Sequence, residues 1–226
     1  EHSIADFEPL ALHKDKGKVA EVFKKEDLER LTGFMGIGQV RYPTAGYTEN
    51  GHGADKPAEE IAAMRQASLQ PMHTPFSRMA LVHNGDVHNF DELVAYFDKK
   101  GLRQTSFNDL EAILKVFAEE FHSLSEHVPA ADRVARTVKG LYGRVQGTYA
   151  ALAVINNIGL VAFRDPEGRR PLVYGVRRDK EGKVTDYAFA SETVALSKML
   201  FHGTADHSFK DGSVAFDEVK PGEMMF

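Results

Sequence analysis

The sequence predicts a single α+β domain over residues 1–226, in which helices pack on mainly antiparallel sheets. Strand-like segments come first and last along the chain, and helix-like segments lie between them. Residues 150–155 are apolar at every position, so this strand should be covered on both faces. Two sheets stacked between helix layers would provide that cover, and we therefore expect a four-layer α/β/β/α sandwich.

The N-terminal third alternates short apolar segments with turn residues. Residues 9–14 and 19–23 are typical of two strands around a turn at 15–17, and residues 25–31 of a short helix. Residues 34–42 predict a strand that contains Gly36 and Gly38. Pro57 opens a predicted helix that runs to about Ala67.

The middle of the chain predicts one buried strand and three helices. The apolar run at 79–82 ends abruptly at the polar residues 83–86. Asn89 and Asn108 are each followed three residues later by glutamate, which is the spacing of a capping box at a helix start. A third helix is expected over residues 130–141.

The C-terminal part predicts short strands separated by turns. The expected strands cover residues 147–155, 159–164, 171–175 and 187–190, and a helix follows at 191–200. Residues 212–216 and 224–226 are candidate closing strands.

Composition excludes several classes of function. With 42% hydrophobic and 27% charged residues the chain is not largely disordered. Its formal net charge of -5 and lack of a basic block do not support a nucleic-acid partner. No apolar run approaches membrane-spanning length, so no membrane partner is expected, and a cytoplasmic location is the default expectation. The 226 residues contain no cysteine, so they hold no disulfide, thiolate metal ligand or cysteine nucleophile.

Asn84 and Gly85 follow the buried strand and allow two interpretations. Asn-Gly is the strongest short hairpin signal, and the dipeptide alone favours a turn. The alternative is that the Asn84 side-chain amide and the Gly85 backbone N–H stabilise a developing oxyanion.

Arg41 and Asp109 are candidate ligand-binding residues, each with a simpler explanation. A guanidinium at a strand end can clamp a small carboxylate, but an exposed arginine more often forms a surface ion pair. Asp109 lies at a helix start, where the helix dipole alone favours a carboxylate. As a functional residue it would receive an ammonium group.

Other sites are not supported by the spacing of their residues. His83 and His88 flank Asp86, but no third histidine follows at helical spacing, so we expect no metal site. Gly36-Ile37-Gly38 lacks the third glycine of a dinucleotide-binding loop.

Seven motifs in order resemble the class II glutamine amidotransferase domain, of the amidophosphoribosyltransferase type, and together span nearly the whole chain. They are GIGQVRYPTAG at 36–46, QP at 70–71, LVHNGD at 81–86, DLE at 109–111, RDPEGRRPL at 164–172, ASETVAL at 190–196 and PGE at 221–223. The resemblance implies the N-terminal-nucleophile hydrolase fold.

The resemblance also implies a glutaminase mechanism. In the family an N-terminal cysteine attacks the side-chain amide of glutamine, ammonia leaves, and water releases glutamate from a thioester. Carried over by motif, Arg41 and Thr44 would hold the substrate carboxylate, and Asp109 would hold the ammonium group. Asn84 and Gly85 would form the oxyanion hole.

The chain departs from the family pattern at its start, where the cysteine, the glycine-rich first strand and a later His-Arg-Gly segment have no match. We therefore expect it to be a fragment that lacks its nucleophile and is inactive alone. Residues 47–68 are longer than the family pattern at that point, and Leu110 replaces its usual serine.

The resemblance further implies that the ammonia goes to an accepting domain or subunit. The acceptor would be phosphoribosyl pyrophosphate in purine biosynthesis, with Mg²⁺ in that further domain and no cofactor in this one. A homo-oligomer is expected. The alternatives are a glutaminase subunit of a glutamate-synthase-like complex and a non-catalytic domain of the same fold that serves binding or assembly.

Overall fold

A computed structural model describes residues 10–41, 56–74, 78–201 and 216–226. Its helices are α1 (Val19–Val22), α2 (Lys25–Arg30), α3 (Ala58–Ala67), α4 (Phe90–Lys99), α5 (Leu110–Ser123), α6 (Ala130–Tyr142) and α7 (Thr193–Phe201). Its strands are β1 (Met72–Thr74), β2 (Met79–Val87), β3 (Gly147–Ile155), β4 (Gly159–Arg164), β5 (Val173–Arg178), β6 (Val184–Ala190), β7 (Phe216–Glu218) and β8 (Met224–Met225).

The strands form two antiparallel sheets. The larger has the order β1-β2-β3-β4-β8, and the smaller has the order β6-β5-β7. β2 and β3 pair along nine residues each without a break, which places Gly85 opposite Tyr149. This pair of strands forms the centre of the larger sheet.

Helices and sheets stack in four layers, as the sequence predicts. Helices α4, α5 and α6 cover one face of the larger sheet around the buried side chains of Leu81, Phe117 and Phe163. The other face packs on the smaller sheet, where Ala150 and Tyr174 share a second cluster. Helix α7 covers the outer face of the smaller sheet through a third cluster. The α/β/β/α prediction is confirmed.

The strands predicted for the N-terminal region are wrong where the structure describes them. Residues 19–22 form a short helix, and residues 10–14 and 34–41 form no strand. These apolar residues lack a neighbouring strand, and several stay exposed; Phe34 is 95% exposed. The predicted helix at 25–31 is present as α2. Residue 42 and residues 212–215 lie outside the described part of the chain.

The turn predicted at residues 83–86 is also wrong, because β2 continues through them to Val87. Pairing with β3 outweighs the local turn preference of Asn-Gly. Gly85 is required for a different reason. Its φ is +152°, and a Cβ there would lie 2.0 Å from the Thr148 carbonyl oxygen, so the glycine permits a close approach of the two strands.

The helices predicted after Asn89 and Asn108 are present, but neither begins with the predicted capping box. The Asn89 side chain joins two main-chain groups near residue 145 instead. The Asn108 side chain donates to the Ser68 carbonyl and accepts from the Leu110 N–H. Asn89 thus binds a distant part of the chain, whereas Asn108 combines a tertiary partner with a local hydrogen bond to the first turn of α5.

No helix in the described ranges is long and apolar enough to cross a membrane.

Candidate active site

The edge of β2 that faces away from β3 is only partly covered by another strand. β1 pairs with residues 79–81 of β2 and goes no further. Beyond it, two side chains accept hydrogen bonds from the β2 backbone. Gln70 Oε1 accepts from the His83 N–H at 2.8 Å, and Asp109 Oδ2 accepts from the Val87 N–H at 2.8 Å. These side chains take the place of a neighbouring strand.

The Gly85 N–H points to the same edge, between the two bonded donors. Alternate residues of a strand direct their backbone groups to one side, so residues 83, 85 and 87 share an edge. Tyr149, opposite Gly85, uses its own N–H and carbonyl to bind Asp165, both at 2.9 Å, and so leaves Gly85 unpaired on the β3 side. A single N–H directed outward in this way suits a developing oxyanion.

Asp109 lies at the N-terminal end of α5, and its side chain is 23% exposed. Partial burial raises the pKa of this carboxyl, but the His83 ring and the Val87 N–H stabilise its ionised form more strongly. The net pKa lies below the ordinary aspartate value. Asp109 therefore carries a negative charge at neutral pH, and it is bonded to the backbone of β2 two residues after Gly85.

His83 links Gln70 to Asp109 from a buried position. Only 5% of the residue is exposed, and its Nδ1 lies 3.2 Å from Gln70 Nε2. Its Nε2 lies 3.2 Å from Asp109 Oδ1, within ion-pair range but out of line for a hydrogen bond. Sequence reasoning treated His83 only as a rejected metal ligand. Its partners lie 13 and 26 residues away along the chain, so no local pattern signals them.

Asn84 faces the other side of the sheet. Its partner in β3 is Ala150, which packs between the two sheets, and the Asn84 side chain is exposed on that face. Asp86 lies on the same face, 3.1 Å from Arg170. The Asn84 amide and the Asp109 carboxylate thus flank the β2 edge from opposite faces.

Arg41 reaches the site only indirectly. Its Nη1 lies 3.5 Å from the Ser68 carbonyl, which also accepts a 2.9 Å hydrogen bond from the Asn108 side chain. Arg41 is thereby close to the residue that precedes Asp109, but the guanidinium itself is exposed. Thr44 lies outside the described residues.

An open cavity of about 1630 Å³ lies on the Arg41 side, between residues 10–41 and the large sheet. Arg41, Ser68 and Gln70 line it, whereas Asn84, Gly85 and Asp109 do not. The candidate site lies instead at the edge of β2, which carries the directed polar groups. Among the described residues, no three histidine, aspartate or glutamate side chains are arranged to hold a metal ion.

Comparison with known proteins identifies relatives over most of the chain. A family model for the glutamine amidotransferase domain matches residues 59–198. The amidophosphoribosyltransferase of Schizosaccharomyces pombe is 35% identical over 94% of this chain and 35% of its own length. That of Escherichia coli is 34% identical over 95% of this chain and 37% of its own length.

A solved structure, that of the allosteric regulatory enzyme of purine biosynthesis, is similar with a TM-score of 0.63 and 26% identity. The match covers 94% of this chain and 37% of that one. The chain thus spans about a third of the length of the curated relatives that it matches.

Proposed function

Because the chain belongs to the glutamine amidotransferase domain family, we propose that it binds L-glutamine at the open edge of β2 and releases the side-chain amide as ammonia. One observation carries the proposal. The Gly85 N–H lies between two backbone donors that are already bonded, and the ionised Asp109 carboxylate accepts the second of these, the Val87 N–H.

The proposed contacts match the charges of free glutamine. Asp109 receives the α-ammonium group, and Arg41 binds the α-carboxylate with Thr44 beside it. A guanidinium can donate two parallel hydrogen bonds to a carboxylate, which fixes both position and direction. The distal amide then extends to Asn84 and Gly85.

The proposed reaction begins when a nucleophile attacks the amide carbon and the carbonyl oxygen becomes an oxyanion. The Gly85 N–H and the Asn84 side-chain amide donate hydrogen bonds to it, each worth ~2.7–4 kcal/mol of transition-state stabilisation. The nitrogen leaves as ammonia after it gains a proton, and water then cleaves the glutamyl intermediate to glutamate. The 226 residues contain no cysteine; we propose that a cysteine outside them is the nucleophile.

For the complete protein we propose the activity named for its relatives. Ammonia from this domain would displace pyrophosphate from phosphoribosyl pyrophosphate in a further domain, as a step of purine biosynthesis. Mg²⁺ would bind with that second substrate, and the protein would form a homo-oligomer. The names of the relatives and the share of their length that the chain spans support this extension.

The test is glutaminase kinetics of the protein expressed from its complete reading frame. Arg41→Ala should raise KM for glutamine on the order of 100-fold while kcat changes little, because a charge-assisted contact to the substrate is lost. Arg30→Ala, an exposed arginine on α2, is the matched control and should not change KM. An unchanged KM in Arg41→Ala excludes the carboxylate-binding role.

A second candidate is a non-catalytic domain that binds glutamine without cleaving it. Calorimetry and an ammonia assay on the complete protein separate the two candidates, because the non-catalytic domain would bind glutamine and release no ammonia.

A further inference from the structure

Gln70 and His83 lie behind Asp109, and nothing in the proposed reaction uses them directly. We propose that they are a positioning pair for Asp109. Gln70 fixes the proton of the His83 ring on Nε2, and this N–H orients the carboxylate that receives the α-ammonium group of the substrate. The inference rests on the proposed function of Asp109.

The orientation of the Gln70 amide follows from its two contacts. Gln70 is 8% exposed, and its Oε1 accepts the main-chain N–H of His83 at 2.8 Å. A flipped amide would set an NH₂ group against that N–H, so the oxygen must occupy this position. Nε2 of Gln70 is then the atom 3.2 Å from His83 Nδ1.

The tautomer of His83 follows from the amide orientation. Gln70 Nε2 can only donate, so His83 Nδ1 must accept with its lone pair. In the neutral ring the proton then resides on Nε2, which is buried and has Asp109 Oδ1 at 3.2 Å. Gln70 thus determines which nitrogen of the ring presents a proton to Asp109.

The carboxylate is held at two points. His83 Nε2 faces Oδ1, and the Val87 N–H donates to Oδ2 at 2.8 Å. The exposed part of the side chain remains available for a third donor at the β2 edge. The misaligned His83 contact is the kind that tightens when a ligand binds, as often occurs between apo and complexed sites.

A purely structural role for His83 predicts a different result. Buried histidines commonly pack in a core with their hydrogen bonds satisfied, and their loss destabilises the fold. The activity on every substrate should then fall by the same factor. A residue that acts through Asp109 matters only for substrates that carry an α-amino group. The identity of the substrate therefore separates the two roles.

The experiment compares glutamine with 5-amino-5-oxopentanoate, which is glutamine without its amino group, in the complete protein. His83→Leu should raise KM for glutamine on the order of tenfold, change kcat less than about threefold, and leave the kinetics of the analogue unchanged. His83→Gln retains an amide N–H near the Nε2 position and should recover most of the loss. His88→Gln, at an exposed histidine of the same region, is the control. An equal loss on both substrates overturns the proposal.

A double-mutant cycle tests whether His83 acts through Asp109. Asp109→Asn alone should raise KM for glutamine, and His83→Leu should then add little in that background. Additive effects on KM would contradict the proposed connection.

The tautomer can be measured without catalysis. Nitrogen-15 NMR of the complete protein should show His83 protonated on Nε2, and Gln70→Leu should give a mixture of tautomers. Protonation on Nδ1, or a tautomer unaffected by Gln70→Leu, overturns the proposal. If the wild type hydrolyses neither substrate, the proposed function fails, and this measurement alone decides whether Gln70 fixes the ring.

Discussion

Asp109 and Asp165 bind the backbone of neighbouring strands in similar ways, but they differ in how much of each carboxylate is used. Asp165 is fully buried and accepts three main-chain hydrogen bonds, from Tyr149, Glu167 and Gly168, all at 2.9 Å. Asp109 accepts one main-chain bond and keeps 23% of its side chain exposed.

The difference separates a structural carboxylate from one that can bind a ligand. The Asp165 carboxylate accepts from Glu167 and Gly168 in the turn after β4 and from Tyr149 in β3, so it holds the turn against the sheet. Asp109 fixes Val87 and remains open on one side. Burial and the number of main-chain partners distinguish them together: Asp165 is fully buried with three, and Asp109 is partly exposed with Val87 as its partner on β2.

The largest expected loss of stability comes from removing the Asp165 carboxylate, which accepts three main-chain hydrogen bonds. Asp165→Ala would leave three main-chain donors without an acceptor and should lower the free energy of unfolding by about 3–5 kcal/mol. Urea denaturation followed by circular dichroism measures it. Asp86→Ala removes an exposed ion pair with Arg170 and should cost less than about 1 kcal/mol. Equal losses of stability in the two variants would contradict the structural role of Asp165.

A smaller loss of stability is expected from a substitution at Gly85, which lies opposite Tyr149 in the β2–β3 pair. Gly85→Ala would place a Cβ 2.0 Å from the Thr148 carbonyl at a φ of +152°, and should cost about 3 kcal/mol in the free energy of unfolding. Gly182→Ala has a φ of +85° but nothing within 4 Å, so strain alone should cost about 1 kcal/mol. A Gly85→Ala variant no less stable than Gly182→Ala would show that the strands can separate.

The smallest effect concerns Asp109 and has a defined pH dependence. Its pKa is lower in the folded than in the unfolded state, so its contribution to stability is complete above the unfolded pKa and is lost as pH falls through the folded pKa. Asp109→Asn should cost about 1 kcal/mol or less near neutral pH. The gap to wild type in urea denaturation should narrow in acid. If the difference in unfolding free energy between wild type and Asp109→Asn widens below pH 4, the Asp109 pKa is not lowered by folding.

The sequence predicts elements whose ends are marked by local chemistry. β3 and β4 occur at the predicted residues because each is an apolar run between turn residues. The continuation of β2 through Asn84 and Gly85 could not be predicted, since the local signal favours a turn and the deciding partner, β3, lies more than 60 residues away. The strand predicted at 34–42 is wrong over residues 34–41, because a strand-like segment needs a neighbouring strand and none pairs with these residues in the described part of the chain.

For the candidate site too, the sequence predicts individual residues but not the contacts between them. Arg41, Asp109, Asn84 and Gly85 followed from motifs, because motifs record residue types at fixed positions. The contacts among Gln70, His83 and Asp109 did not, because they depend on how β2 approaches the start of α5. The ligand-binding roles of the motif residues stay predictions until the kinetics above are measured.

Arg164 has a consequence for the order in which the protein assembles. The guanidinium is buried and donates to Glu218 at 2.7 Å, to the Val219 carbonyl at 2.6 Å, and to the Gly168 carbonyl. Two of these partners follow it by more than 50 residues. During translation Arg164 is synthesised well before them, and we expect its charge to stay hydrated until they are available. We therefore expect the two sheets to close on each other only after residues 218–219 have been synthesised.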